Sequence, residues 1–445
     1  MQAILVTAEE SERDQGFVAA ALSRAEISEG DRIALIAGST PEYLALTIGA
    51  LRAGVVPVMV HPGLTPEEQA VLLENASPSL IFRGAEVEGF VDEAREHGSY
   101  GELAKWPRTR PMLYTSGTTG IPKGVWAGLL SDSDAEALAM EERDAWGFNA
   151  DDIHIVVSPL HHSAPMRFAM GVLLAGGSVV IPPPFKPATL VEAISEYRPT
   201  NAFMVPAHLQ RLIAFSDATN EPLPLESFRR VAHAGSACPD GLKRRALDAF
   251  PEQTLWEFYG STEGQFTVCA PDEWLAHPGT VGRARPGREL STDDDGTIWC
   301  SVPSFARFEY WRDPAKTEAA WRDDAFSVFD IGTLDEDGYL YIDGRRDDLI
   351  ITGGVNAYPL EIERALLTCT GVEDITVFSI PDESWGEMVC AAIVGPATTT
   401  DLDAWAHIHL APHKRPKRYI HVDSIPVTTM GKVRRSLLAG ELGLL

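Results

Sequence analysis

The sequence predicts an α/β protein: parallel sheets covered by helices, a small antiparallel β region, and a small α+β unit at the C-terminal end. Three observations predict it. Short apolar strands alternate with amphipathic helices from Arg32 to Gly260. The texture then changes to strand-like pieces separated by turn residues between Gln265 and Gly344. After "GRRDD" the chain restarts as a mixed helix–strand pattern.

In order, "RIALIAGS" reads as a strand, and the helix opening at Pro41 carries Leu44, Ile48 and Leu51 at helical spacing. "VVPVMV" is the next strand, and Thr65-Pro66-Glu67-Glu68 supplies an N-cap, an N1 proline and a capping-box glutamate. The alternation returns with "HIVVSPL", a helix from Phe168 to Leu174, "SVVIP", a helix from Thr189, "NAFMVP" and a helix from Ala207. "RRVAHAG", a helix from Asp240 and "TLWEFYG" complete it. Strands apolar on both sides and separated by helices belong in a parallel sheet covered on both faces. "GTIWCSV", "FSVFDIGTL" and "GYLYIDG" predict the antiparallel barrel or sheet. The last unit reads helix Pro359 to Cys369, strands Ile375 to Ile380 and Met388 to Val394, helix Leu402 to His409, and strand Arg418 to Val422. The predicted division is a large N-terminal domain, 1–346, and a small one, 347–445, with "KWPRTRP" as a stiff connector and little between Gly84 and Pro111.

With 37 basic against 64 acidic residues the formal charge is −27, a field that repels nucleic acid and anionic lipid. No apolar run reaches membrane-spanning length, since Leu44 to Val60 is broken by Arg52, Gly54 and Pro57. "MQAILVTAEESE" lacks the basic start of a signal peptide. Cys238, Cys269, Cys300, Cys369 and Cys390 have no metal or redox spacing, so reduced thiols in a cytoplasmic protein are expected.

"LYTSGTTGIPKGV" has the composition of a phosphate loop: glycines admit close backbone approach, hydroxyls donate, and Lys123 supplies counter-charge. It is not a Walker loop, because Pro122 precedes Lys123 and Gly124 follows it. The stretch resembles the signature loop of the adenylate-forming superfamily of acyl- and aryl-CoA synthetases, peptide-synthetase adenylation domains and luciferases. "AGSACPD", "YGSTEG", "GRRDDLIITGGVNAYPLEIE" and "GKVRRS" match four further stations in order, so the resemblance covers essentially the whole chain.

That resemblance implies attack of a carboxylate on the α-phosphate of MgATP, then attack of a thiol on the acyl-adenylate. Thr115, Ser116, Gly117, Thr118, Thr119, Gly120 and Lys123 would hold the leaving phosphates. Gly235, Ser236, Ala237, Gly260 and Ser261 would line the nucleotide site, with Tyr259 on adenine and Asp330 and Arg345 on the ribose. Thr262 would bond the α-phosphate, and Glu263 would ligate Mg²⁺, a hard oxygen for a hard cation. Where the family usually carries Thr-Gly-Asp, this chain carries Val328-Phe329-Asp330. Lys432 corresponds to the lysine that bridges carboxylate and α-phosphate, and Asp347 to the hinge about which a mobile small domain turns.

"HKRPKRY" and "DESWGEM" resemble the coenzyme A segments of chlorobenzoate-type aryl-CoA ligases. Trp385 and His413 would stack on CoA, Arg415 and Lys417 would meet its phosphates, and Gly353 and Gly354 would pass the pantetheine arm. In "PLHHSAP" His162 would sit at the acyl site; adjacent histidines could suggest metal, but neighbours on a strand face opposite ways. Ser163, Ala164, Phe203, His233, Ala234 and Phe258 would form a mainly apolar pocket for an aromatic or short hydrophobic acid, and Arg167 leaves room for a second carboxylate. The expected activity is an acid–CoA ligase using ATP, Mg²⁺ and coenzyme A. Two rivals are an acyl-AMP ligase loading a carrier protein and a weak AMP-binding regulatory homologue. Monomer and homodimer both remain open.

Overall fold

Among the described residues, two six-stranded sheets and a five-stranded one organise the chain. The computed structural model describes residues 2–115, 123–345, 348–352, 355–382, 384–427, 433 and 435–444. The first sheet runs Ile4–Thr7, Ser178–Ile181, Ile153–Val156, Asn201–Met204, Arg230–His233, Leu255–Glu257. All its pairs are parallel except the edge pair of Ile4–Thr7 with Ser178–Ile181. The second runs Glu309–Tyr310, Lys123–Trp126, Met112–Thr115, Val56–Met59, Arg32–Ile36, Leu80–Arg83. It turns antiparallel where Lys123–Trp126 joins.

The alternation in "RIALI" explains the layering. Ile33 and Leu35 enter a core shared with helices Ala8–Arg24, Pro41–Arg52 and Ser163–Leu174, whereas Ala34 and Ile36 pack on the other face with Leu72 and Met112. Both faces are therefore dry, as a parallel sheet requires. The first sheet's other face packs Leu190, Leu209 and Ala246 from three further helices.

Most predicted elements form within a residue or two of their expected starts: helices open at Pro41, Pro66, Pro187, Pro206 and Asp240, four of them on prolines at the first turn. Several helices were not anticipated, among them Ala8–Arg24, Glu86–His97, Asp132–Trp146, Pro271–Ala276, Pro314–Ala320 and Arg435–Glu441. Ala8–Arg24 starts on a Thr7/Glu10 capping box, and Glu86–His97 occupies part of the stretch expected to hold little. "FSVFDIGTL" is not one strand. It divides into Ala325–Phe326, in a four-stranded antiparallel sheet, and Asp330–Leu334, paired with Leu340–Arg345.

The third sheet joins Val355–Ala357, Ile350–Thr352, Gly386–Val394 and Asp374–Asp382, with Arg418–His421 parallel to Gly386–Val394. It has its own core around Ile362, Val377, Ala391 and Leu402. Arg435, in the "GKVRRS" stretch, is its main polar tie. Its guanidinium donates to both oxygens of Glu363, at 2.6 and 2.7 Å, to Asp348 Oδ2 at 3.1 Å and to the Val377 carbonyl at 3.1 Å. Glu363 also accepts from the Val377 N–H. Arg435→Ala would strand a buried carboxylate and is expected to lower stability by about 3 kcal/mol. A thermal melt with the midpoint unchanged would contradict this. Among the described residues no helix is long and apolar enough to cross a membrane.

Candidate functional site

Strands Met112–Thr115 and Lys123–Trp126 form a hairpin in which Thr115 lies opposite Lys123. The predicted phosphate-loop residues Ser116, Gly117, Thr118, Thr119 and Gly120 lie outside the described residues, but this register fixes both ends of their segment. Glu309–Tyr310 pairs alongside, and the Lys123 ammonium sits 5.0 Å from the Tyr310 ring centre. The Tyr310 hydroxyl donates to Glu263 Oε1 at 2.9 Å. Burial and the adjacent Glu263 charge push that hydroxyl's pKa far above its usual range, so it stays a donor. Tyr310 was not singled out in the sequence; only the pairing of two distant strands brings it here.

"YGSTEG" is a tight turn. Gly260 bridges Gln265, the Ser261 N–H donates to the Gly264 carbonyl at 2.8 Å, and the Glu263 N–H donates to Ser261 Oγ at 3.2 Å. A Cβ on Gly264 would lie 2.7 Å from Phe326 Cζ, which is why a side chain is excluded there. At the turn's start the Tyr259 hydroxyl donates to Asp330 Oδ2 at 2.6 Å. The expected adenine and ribose residues are thus directly joined, and Asp330 is the register partner of Arg345.

Phe329, the residue flagged for departing from the family pattern, has φ +63°, the left-handed region that glycine tolerates and a bulky residue resists. Its N–H donates to the buried Ser327 hydroxyl at 2.9 Å. The backbone immediately before Asp330 is strained, at an expected cost of about 1–2 kcal/mol.

Gly235, Ser236 and Ala237 emerge exposed at the C-terminal end of strand Arg230–His233, the edge where open parallel sheets bind ligands. Beside the "YGSTEG" turn a cavity of about 140 Å³ is lined by Ser163, Arg167, Ser261, Thr262, Gly264 and Gln265, among others. Of the acyl-pocket residues expected from sequence, Ser163 lines it. Phe203, Ala234 and Phe258 form a buried layer with Trp146 and Phe168 instead, and Ala164 packs on that layer.

His233 is a correction. Register places it with Met204 and Glu257, on the face opposite Phe203 and Ala232. It is fully buried, and Nε2 is hydrogen-bonded to the Lys243 ammonium, which lies 3.3 Å from Glu257. Burial, then the Lys243 charge, drives its pKa well down. It is a neutral support beneath the strand ends and no part of the cavity wall.

The adjacent histidines need a second correction. Their strand ends at Val156, so strand alternation does not govern His161 and His162; they occupy a turn, with ring centres 4.2 Å apart. His61 joins them, 4.6 Å from His161. One ring nitrogen from each lies within 4.8 Å of the others, a grouping that could hold a transition metal. Burial, then His61, pulls the His161 pKa down to about 3, so its imidazole is neutral at physiological pH. Three imidazoles are not the ligands Mg²⁺ takes; the buried carboxylate of Glu263 is.

In the C-terminal sheet, Trp385 is exposed and the Lys417 ammonium lies 5.2 Å from its ring centre, so two of the expected CoA residues come together. Arg415 is committed elsewhere: it donates to the Leu410 and His407 carbonyls at the end of helix Thr399–His409. Lys414 is bound to Glu361, and His413 is partly buried beside it. Lys432, Asp347, Gly353 and Gly354 lie outside the described residues, and the Arg345 side chain does also.

Comparison with known proteins identifies the family. The family model described as AMP-binding enzyme matches residues 5–299, and the one described as AMP-binding enzyme C-terminal domain matches residues 361–432. The fatty acid–[acyl-carrier-protein] ligase ScoC of Streptomyces coeruleorubidus is 30% identical, over 97% of this chain and 90% of its own. The indoleacetate–CoA ligase of Aromatoleum aromaticum is 30% identical, over 94% and 89%. ATP-bound MatB from Rhodopseudomonas palustris superposes with a TM-score of 0.81 at 28% identity, covering 97% of this chain and 93% of that one.

Proposed function

The chain belongs to the AMP-binding enzyme family, and from that premise we propose that it is an ATP-dependent carboxylic acid–CoA ligase acting through an acyl-adenylate. The observation that carries the reading is one turn, "YGSTEG", that ties three functions together. It holds Tyr259 on Asp330, holds Glu263 under Tyr310, and presents Thr262 to the cavity. A nucleotide bound along that turn would place its α-phosphate at the mouth of the acid site.

In this reading Asp330 accepts the ribose hydroxyls and Tyr259, oriented by the Asp330 bond, packs on adenine. Thr262 donates to the α-phosphate, Lys123 offers positive charge at the end of the phosphate-loop segment, and Gly235, Ser236 and Ala237 border the nucleotide. Glu263 would hold Mg²⁺, which when bound neutralises phosphate charge. Catalysis in the first half-reaction is then positioning plus electrostatics, with Lys432 bringing the last cation. The small domain, 347–445, carries Lys432 and the Trp385–Lys417 pair, so its movement about Asp347 would exchange one for the other.

Free CoA is the preferred thiol because Trp385 offers an exposed ring with a lysine beside it. The relation to ScoC supports a second reading in which a carrier protein is the acceptor. Both predict acid-dependent release of pyrophosphate from ATP, with AMP released only when a thiol acceptor is present; a panel of benzoates, cinnamates and short acids, with and without CoA, tests them. CoA-dependent turnover is the expected result. Acyl-AMP that accumulates and turns over only with a carrier protein would favour the second reading. Release of ADP would overturn both.

A further inference from the structure

The cavity beside Thr262 carries a charge imbalance. Arg110, Arg167, Arg285 and Arg288 converge on it, and each interacts electrostatically with others of the set. The carboxylates that answer them are Glu141 and Glu142. Both are claimed from one side: Arg285 and Arg288 pair with Glu141 at 3.1 and 2.7 Å, and Arg285 pairs with Glu142 at 2.8 Å. Arg167 reaches Glu142 only at 3.4 Å. Gln265 Oε1 accepts from Arg167 at 3.0 Å and from Arg285 at 2.9 Å, which bridges the two cations without neutralising either.

Arg110 is bonded to the carbonyls of Ala306 and Arg307 and to no carboxylate among the described residues, and its buried Nε has no partner among them. Burial, then repulsion from Arg288 and Arg167, lowers its pKa to about 10, so it remains charged at neutral pH. Leaving aside Arg143, which also lines the cavity but is exposed, four cations thus face two anions. A buried excess of two positive charges is costly unless something anionic answers it. The Arg167 side chain, 22% exposed, lines the cavity together with Thr262 and Ser163. On a protein of net charge −27 such a focus of positive charge runs against the overall field.

We propose that the acid this chain activates carries a second carboxylate, bound in this cavity by Arg167 with Arg110 as supporting charge. The proposal rests on the ligase reading for where the first carboxylate reacts, at Thr262. It narrows that reading: an aromatic or short acid must present an anionic far end. Planar guanidinium groups match a carboxylate in two-pronged fashion, and a site built for that partner strongly rejects an analogue lacking it.

The test is acid-dependent ATP–pyrophosphate exchange on matched pairs: butanoate and succinate, hexanoate and adipate, benzoate and isophthalate. The best diacid is expected to exceed its monoacid partner by at least about tenfold in kcat/KM. Arg167→Gln should lower the diacid-to-monoacid ratio of kcat/KM by about a hundredfold, and Arg167→Lys should recover part of the loss. Monoacids equal to or better than diacids in every pair, or an unchanged ratio in Arg167→Gln, would overturn the proposal. If no acid supports exchange, the ligase reading fails separately, and the site is read by thermal shift with AMP present. A diacid that raises the melting temperature of wild type but not of Arg167→Gln still supports the subsite; the absence of any difference overturns it.

Discussion

Lys432→Ala is expected to lower acid-dependent ATP–pyrophosphate exchange by about a thousandfold, the scale of losing a charged group aimed at a transition state. Thioester formation from a preformed acyl-adenylate and CoA should stay within about threefold of wild type, because in the proposed mechanism that step does not use the lysine. The split between the two half-reactions is the informative readout. Val427 and Val433, on either side of the segment that carries Lys432, pair as a bridge, and Arg435 is held by Glu363 and Asp348. In the proposed mechanism the lysine between those two valines serves a phosphate held by the large domain, which requires the two domains to close on each other. A variant that loses both half-reactions equally would point to a folding defect; one that loses neither would remove Lys432 from the mechanism.

How far the sequence could be read depended on whether the determining contacts were local. "RIALI" announced a strand covered on both faces because each of its sides meets a core, and Thr65-Pro66 announced a helix because capping is settled within one turn. The helix Ala8–Arg24 carried the same kind of signal in Thr7 and Glu10, and it was there to be found. Glu86–His97 has no side-chain cap and holds Gly89, so nothing local marked its start. The stretches expected to hold nucleotide stood out as motifs, and two of their residues, Tyr259 and Asp330, do meet. Phe329 was visible as an oddity, although its positive φ was not. The acid side was read less well. Arg167 was singled out for a second carboxylate, but Arg110, Arg285 and Arg288 come from segments far from it in the chain and share no spacing; only the fold makes them neighbours. The histidine pair was misjudged because a strand rule was applied beyond the strand's last residue, Val156.

Glu263→Gln is the second large effect expected: kcat/KM for ATP falls by at least about a hundredfold, and raising Mg²⁺ does not restore it. The substitution keeps the shape and leaves an amide oxygen to accept the Tyr310 hydroxyl, so the thermal midpoint should hardly move. AMP binding should survive, since Tyr259 and Asp330 do not touch Glu263 in the hydrogen bonds that define the turn. Glu263→Ala differs in a calculable way. It removes the acceptor and leaves the Tyr310 hydroxyl, whose pKa burial holds high, without its partner, at an added stability cost of about 1–3 kcal/mol. Comparing the two variants therefore separates charge from packing at one position. Equal activity in Gln and wild type across a Mg²⁺ titration would show that the carboxylate is a structural acceptor for Tyr310 alone, and the metal would then have to be held by other groups.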